Sequence, residues 1–415
     1  MDHFRYLNSE LQAEGVPLRR LADEVGTPVF VYSSAAFEGH LSAFDQAFQD
    51  KPHLVCYSVK VASNLALLAK VAGRGLGADI VSGGELFRAL KAGIPAAKVV
   101  YSGVGKTALE IKEALEAGIL MFNVESEAEL DLISRIAQDR GQKAPVALRV
   151  NPDVDPGTHP YLATGLKESK FGLHVDKALS LYLKAKDHPN LSVIGVDCHI
   201  GSQLTTISPF VDTVKRLKLL LSNLRTAGLS ISYLDLGGGL GITYDQESPP
   251  SPAQYAQSIL ESLGHEELTL IFEPGRVVAG NSAVLIIKVL YDKITPEKRF
   301  IITDGAMNDL IRPSLYGSHH SIVPLREPQS SLLPIKVNVV GPVCESGDFL
   351  AKDRLLPPVS AGDYLAVKSA GAYGFSMSSN YNSRPRAAEV LIEGQSYRII
   401  RARESYDDLI RGESL

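Results

Sequence analysis

The sequence predicts an α/β fold, a (β/α)8 barrel of the TIM type followed by an antiparallel β-domain. Three observations predict it. Between residues 30 and 280, short apolar runs ending in Gly, Ser, Asn or Pro alternate with segments of helical periodicity. Eight such runs occur, the number a closed barrel needs and more than an open doubly wound sheet commonly uses in that length. After Arg276 the texture changes to β-branched runs broken by Gly, Pro and Asp, with almost no helix-length periodicity.

In chain order, the predicted strands are LVCYSVK (54–60), GADIVS (77–82), KVVYSG (98–103), ILMFNVES (119–126), VALRVNP (146–152), SVIGVDCHIG (192–201), YLDLGGG (233–239) and LTLIFEPG (268–275). The stretches between them read as helices, as in SNLALLAKVAGR, GELFRALKAG, TALEIKEALEAG and SEAELDLISRIAQDRG, three of which close on Gly as helix C-termini often do. Strands alternating with helices imply a parallel sheet with right-handed crossovers. Beyond the barrel, VVAGNSAVLIIKVLYDKI, FIITDG, IKVNVVGP, DYLAVKSAGA and AEVLIEGQSYRIIR carry the β-domain. The opening residues, 1–29, are expected to join that domain with 281–415, and VFVYSSAAF fits either module.

Composition narrows the function. A chain of 415 residues, 45% hydrophobic and 21% charged, has the size of a barrel plus a smaller domain and buries an ordinary core, which excludes general disorder. A net charge of −5 argues against a nucleic-acid or anionic-membrane partner held by bulk electrostatics. Three cysteines are too few for a disulfide scaffold and point to a reducing compartment. The start, MDHFRYLNSEL, has no apolar leader and no run approaches membrane-spanning length, so a cytoplasmic location is expected.

Barrel active sites lie at the C-terminal ends of the strands. The first predicted strand delivers Lys60 there, the sixth His199 with Gly201 and Ser202, the seventh Gly237-Gly238-Gly239, and the eighth Glu273-Pro274-Gly275-Arg276. Each has an ordinary reading. Lys60 alone fits a lysine snorkelling from a strand end, or an amine made nucleophilic by partial burial. The glycines fit a tight turn, or a backbone that approaches a phosphate. His199 fits a structural histidine, a base, or a flat ring stacked on a cofactor; no second ligand stands at metal spacing, and no metal is expected. Glu273 fits a structural ion pair with Arg276, or a partner for a pyridinium N–H. Taken together, a Schiff-base lysine, a phosphate loop, a stacking ring and an acid for a ring nitrogen describe pyridoxal 5'-phosphate, held so that its ring takes up the electrons of a carbanion.

The motifs YSVK, CHIGSQ, LDLGGGL, EPGR, CESGD and GAYGFSMSSNYN resemble those of the barrel-type pyridoxal-phosphate-dependent decarboxylases, the group that includes ornithine and arginine decarboxylases. FNVESEAEL, LRVNPDVDPGTHPYLATGLKESKFG and DGAMNDLIRPSLYGSHH extend the likeness, which runs from DHFRYLN to SYDDLI. It is strongest toward members acting on meso-2,6-diaminopimelate, and so implies decarboxylation of that diacid to L-lysine and CO2, the last step of bacterial lysine synthesis.

The resemblance also implies roles. Lys60 carries the cofactor, His199 stacks on its ring, and Ser202, Gly238, Gly239 and the backbone at Pro274, Gly275 and Arg276 hold its phosphate. Glu273 meets the pyridine nitrogen, and Tyr373 touches cofactor and substrate. Arg276, Arg312 and Tyr316 bind substrate carboxylate, Glu345 meets a substrate amino group, and Cys344 is a proton donor reaching the site of a second subunit, so a homodimer with shared sites is implied. The physical reading agrees with the far-end pocket: a guanidinium grips a remote carboxylate with two bonds, and a substrate lacking that carboxylate leaves it unpaired. Alternatives within the fold are decarboxylases of D-lysine, D-ornithine or carboxynorspermidine; a racemase lacks EPGR and CESGD, and a pseudoenzyme is expected to lose the lysine or the loop cysteine. One departure follows the lysine, where KVASN replaces KANSN or KACSN and puts the bulkier Val61 in the turn, while Lys60 and Asn64 remain.

Overall fold

Each of the eight predicted barrel runs forms a strand in a computed structural model of the chain, which describes residues 3–155, 170–329, 331 and 333–415. These are β1 His53–Ser58, β2 Gly77–Ile80, β3 Val99–Tyr101, β4 Met121–Val124, β5 Ala144–Asn151, β6 Leu191–Asp197, β7 Tyr233–Asp235 and β8 Thr269–Phe272. Each pairs in parallel with the next, and β8 pairs with β1 through Leu270↔His53 to Phe272↔Val55, so the sheet closes on itself. The stretch PGTHPYLATGLKES (156–169), inside the long motif after β5, lies outside the described residues.

The strands are shorter than the apolar runs because polar turn residues take over once inter-strand pairing ends. Ser82, Thr107 and Ser126 each leave the strand line and accept a hydrogen bond from the backbone N–H three residues on, capping the helices Gly83–Lys91, Ala108–Ala117 and Glu127–Asp139. Asn64 caps Leu65–Gly73 by accepting from the N–H of Ala66 at 2.9 Å. Inside the barrel Cys56, Val100, Met121, Ala147 and Ile271, one from each of five strands, pack as a fully buried layer. Outside β8, Phe44, Phe48, Tyr255 and Phe272 form an aromatic cluster in which Phe48 and Phe272 stack with centroids 3.9 Å apart.

The chain divides into two compact units, the barrel unit of Leu41–Ile242 and Ser248–Val277, and a β unit of Met1–His40, Thr243–Glu247 and Val278–Leu415. In the β unit the strands run Phe349–Leu356, Ile335–Val340, Arg299–Thr303, Ala283–Ile294, Val29–Ser33, Ala388–Glu393 and Ser396–Arg401 across one sheet. Two of its pairings are parallel, Phe300↔Asn338 and Ala388↔Val29 with their neighbours, so the sheet is mixed within a mostly antiparallel arrangement. The run VVAGNSAVLIIKVLYDKI becomes strand only from Ala283, because Arg276–Ala279 and Gly280–Ser282 coil into helical turns first. Strand Phe349–Leu356 was absent from the sequence reading; its Lys352-Asp353-Arg354 centre hides the apolar ends that pair with Ile335–Val340. Val29, Val31, Val284, Ile286, Ala366, Val390 and Ile392 make its core with the N-terminal residues Phe4, Leu11 and Leu18.

Phe272→Ala leaves a void among three buried rings, and the expected outcome is a loss of about 3–5 kcal/mol of stability, read as a lower denaturant midpoint with barrel-level circular dichroism retained before unfolding.

Candidate active site

Lys60 does not end a strand. β1 stops at Ser58, and Val59–Val61 make one 3-10 turn that carries Lys60, while the N–H of Ser58 donates to the Pro274 carbonyl. The lysine side chain is 34% exposed, and its Nζ donates to Asp79 Oδ2 at 2.6 Å; the same oxygen accepts from Ser58 Oγ at 2.9 Å. The immediate partner of the amine is therefore a fully buried carboxylate of β2 rather than an apolar wall.

His199 lies two residues past β6. Its Nδ1 accepts the N–H of Gly238 at 3.2 Å, which leaves the ring proton of the neutral form on Nε2. Burial, and then the positive charges of Arg149 and Lys60, push its pKa well below the ordinary histidine value, so the ring is neutral. Gly238 has no room for a side chain, since a Cβ there would collide with the Glu273 carbonyl. Ser202, further along the same loop, accepts from Arg276 Nη2 at 3.0 Å and Nε at 3.2 Å, which places a hydroxyl and a buried guanidinium side by side.

Glu273 follows β8 directly. Its carboxyl is 6% exposed and accepts from Ser102 Oγ at 3.2 Å and Asn123 Nδ2 at 3.4 Å, and no ion pair forms with it among the described residues. The Asn123 amide also donates to Asp235 Oδ2 at 3.2 Å, and the Gly237 N–H donates to Asp235 Oδ1 at 2.9 Å. Burial first, then the neighbouring Asp235, Asp79 and Asp197, hold the Glu273 carboxyl far above the usual range. Asp197 is raised in the same way, and Asp235 is pushed up to about 6. Arg149 donates to Glu125 at 2.7 Å and stands 4.0 Å from Asp197.

Val61 is accommodated by Gly275: a Cβ at position 275 would collide with the Val61 side chain and meet Ser58 Cβ at 3.1 Å. The departure from the family pattern after the lysine thus has a counterpart across the turn.

The other predicted residues lie in the β unit. Arg312 opens the short helix Arg312–Tyr316 and is 3% exposed. Its guanidinium stands over the rings of Tyr244 and Tyr316, at 5.2 and 5.7 Å, and donates to His320 Nε2 and Ser318 Oγ. The Cys344–Asp348 loop sits against this segment. Ser314 Oγ donates to the Gly347 carbonyl, and Asp348 accepts the N–H groups of Met307 and Val343, both at 2.8 Å. Cys344 and Glu345 are exposed on that loop, with the Cys344 N–H donating to Asn382 Oδ1 and Glu345 Oε1 accepting from the Gly347 N–H. Tyr373 has a left-handed backbone, φ 56°, unusual for a bulky residue and characteristic of constrained sites.

The structure therefore brings Lys60, His199, Ser202, Gly238, Gly239, Glu273, Pro274, Gly275 and Arg276 into one barrel mouth, and places Arg312 and Tyr316 beside the Cys344–Glu345 loop in the β unit. Asp79, Ser102, Asn123, Arg149, Asp197 and Asp235 escaped the sequence reading. Their signal was a polar residue inside or ending an apolar barrel strand, a position where burial demands a partner.

A family model described as "Pyridoxal-dependent decarboxylase, pyridoxal binding domain" matches residues 34–280. The chain belongs to the pyridoxal-dependent decarboxylase family. Over its whole length it is similar to diaminopimelate decarboxylases: that of Vibrio cholerae is 52% identical over 417 residues, covering 100% of this chain and 99% of the relative. Among solved structures, diaminopimelate decarboxylase of Helicobacter pylori complexed with L-lysine superposes with a TM-score of 0.91 at 43% identity, covering 95% of this chain and 98% of that one. The enzyme of M. jannaschii in co-complex with L-lysine superposes with a TM-score of 0.95 at 37% identity, covering 100% and 98%.

The barrel-mouth residues fit the pyridoxal group of the family name. They offer an amine, a neutral ring with one nitrogen occupied, a hydroxyl and guanidinium pair suited to an anion, and a buried acid that burial and its acidic neighbours hold toward the protonated form.

Two outcomes follow. Gly275→Ala is expected to lower both the melting temperature and the cofactor absorbance, and adding Val61→Ala to restore part of each; no restoration would show that the Val61 contact is not what limits position 275. Because Asp235 titrates higher in the folded chain than in the unfolded one, the folded state binds more protons between the ordinary carboxylate range and about 6. Stability of the cofactor-free protein is therefore expected to fall as pH rises through that window, with a shallower fall in Asp235→Asn, read from denaturant midpoints.

Proposed function

We propose that this protein decarboxylates meso-2,6-diaminopimelate to L-lysine and CO2 with pyridoxal 5'-phosphate, as a homodimer in the cytoplasm. The observation that carries the reading is the set Lys60, neutral His199, Ser202 with Arg276, and buried Glu273 around one barrel mouth. The full-length likeness to diaminopimelate decarboxylases supports the choice of substrate.

When bound, pyridoxal phosphate supplies an electron sink for the carbanion left by departing CO2. Lys60 is the amine that anchors its aldehyde, and Asp79 orients that amine. Ser202, the backbone at Gly238, Gly239, Pro274 and Gly275, and Arg276 bind its phosphate. His199 presents a neutral ring face, and Glu273 meets the ring nitrogen. Arg312, stiffened by Tyr244 and Tyr316, grips the far carboxylate of the substrate, with Tyr316, Tyr373 and Arg276 completing the carboxylate contacts and Glu345 meeting the far ammonium. Cys344 stands exposed on its loop and gives its thiol proton to Cα in the site of a second copy.

The test is product analysis with added pyridoxal phosphate and, separately, meso-diaminopimelate, D-lysine and L-ornithine. Lysine and CO2 from diaminopimelate alone is the expected result, and turnover of D-lysine or L-ornithine in its place would overturn the substrate assignment. Arg312→Ala should lower kcat/KM for diaminopimelate by about a hundredfold, since losing charge-assisted hydrogen bonds costs about 3 kcal/mol. Mixing inactive Lys60→Ala and Cys344→Ala chains should recover activity toward a quarter of the wild-type level, roughly half the dimers being mixed with one of two sites whole. No recovery would mean that Cys344 serves its own chain.

A further inference from the structure

Asp235, the last residue of β7, and Glu273, the first after β8, bring two buried carboxyls together. Among the described residues only neutral groups donate to them: the Gly237 N–H, the Asn123 amide that touches both, and the Ser102 hydroxyl. An oxygen of each lies within 4.8 Å of an oxygen of the other and of Asp197. Two buried carboxylates that close, with neutral donors beside them, repel one another, and one proton retained between them relieves the repulsion.

The charged and titratable groups facing the pair do not replace that proton. Lys60 is engaged by Asp79, and Arg149 by Glu125 at 2.7 Å, with Asp197 its next acid at 4.0 Å. Asp79 and Asp197 add negative charge, the thiols of Cys56 and Cys198 and the Tyr255 hydroxyl are raised by burial, and His199 is neutral. Asp197 Oδ1 is buried with no hydrogen-bond partner among the described residues, so this oxygen makes no hydrogen bond to the pair, and the nearest cation to Asp197 among the ion pairs is Arg149 at 4.0 Å.

We propose that Asp235 and Glu273 share one proton in the cofactor-free protein, and that loading of pyridoxal phosphate moves this proton from Glu273 to the ring nitrogen instead of drawing one from solvent. The O–H bond of the Glu273 carboxyl breaks with its electron pair left on oxygen, and an N–H bond forms on the ring. The buried charge of the assembly is −1 before, as one carboxylate and one acid, and −1 after, as two carboxylates and one pyridinium. Loading thus brings no net change in buried charge at this place, and Asp235 acts as a positioning residue that keeps Glu273 protonated. The inference rests on pyridoxal phosphate being the cofactor, as read above.

The test counts protons. Cofactor-free wild type and Asp235→Asn are each titrated with pyridoxal phosphate in a pH-stat over a series of pH values. The variant loses one like charge while burial remains, so its Glu273 is expected to ionise at a lower pH, and the pH at which loading begins to draw a proton from solvent should lie lower than in wild type; coincident profiles overturn the proposal, and a purely structural role for Asp235 would alter stability without moving the profile. Infrared spectra of the wild-type protein give a second measurement, independent of whether Asp235→Asn folds. The cofactor-free spectrum should contain a carboxylic-acid C=O component that is missing in Glu273→Gln and lost on loading, separate from any band of Asp197 or other buried acids, and a cofactor-free spectrum lacking that component overturns the shared proton. If no Lys60-dependent absorbance develops, the cofactor reading falls and the proton transfer with it, while the infrared band still decides whether the two acids share a proton.

Discussion

Closing eight parallel strands sends every strand end to one mouth, and in this chain several of those ends are acids. Asp79, Asp197, Asp235 and Glu273 come from β2, β6, β7 and the residue after β8, and all are buried. Buried negative charge of that density is tolerated only with cations, donors or protons at hand. Lys60 meets Asp79, Arg149 meets Glu125 and stands near Asp197, and the amides and hydroxyls of Asn123, Ser102 and Ser58 fill the gaps. Lys60, the neutral His199 and the buried Glu273 all sit within that distribution of charge.

Much of this was legible before any coordinates. The eight apolar runs, the change of texture after Arg276, and the placing of His199, the glycines and Glu273 just past strand ends follow from periodicity and turn chemistry, which are local properties, whereas the 3-10 turn that carries Lys60 beyond Ser58 was read as strand. The strand boundaries moved by a few residues because polar residues such as Ser82 and Ser126 serve as helix caps and not as strand termini. The inward acids were not legible: Asp79 in GADI or Asp235 in YLD reads as a lone charge in a strand, and only closure shows that they face one another. Strand direction in the β unit was equally hidden, since alternation along Val29–Ser33 or Ala388–Glu393 is the same whichever way a neighbour runs.

The Val61 and Gly275 contact shows how a departure from a family pattern is read physically. A branched side chain in the turn beside the lysine looks disruptive in one dimension, yet a residue without a Cβ lies across from it. The pair behaves as one packing unit in which volume added on one side needs space on the other. Arg312 illustrates the opposite case, where the resemblance implied a carboxylate-binding guanidinium and the structure supplies its supports, the Tyr244 ring and, from the segment that also seats the cysteine loop, Tyr316, Ser318 and His320.

The hydrogen bond from the Gly238 N–H to His199 Nδ1 ties the ring to the glycine loop before any ligand arrives. Turning the ring over would set a carbon against that amide and leave the amide unsatisfied, so one face orientation and one tautomer are selected in advance. The ring torsions that a free histidine would have to freeze are already frozen, and the entropy of ordering them belongs to folding and not to association.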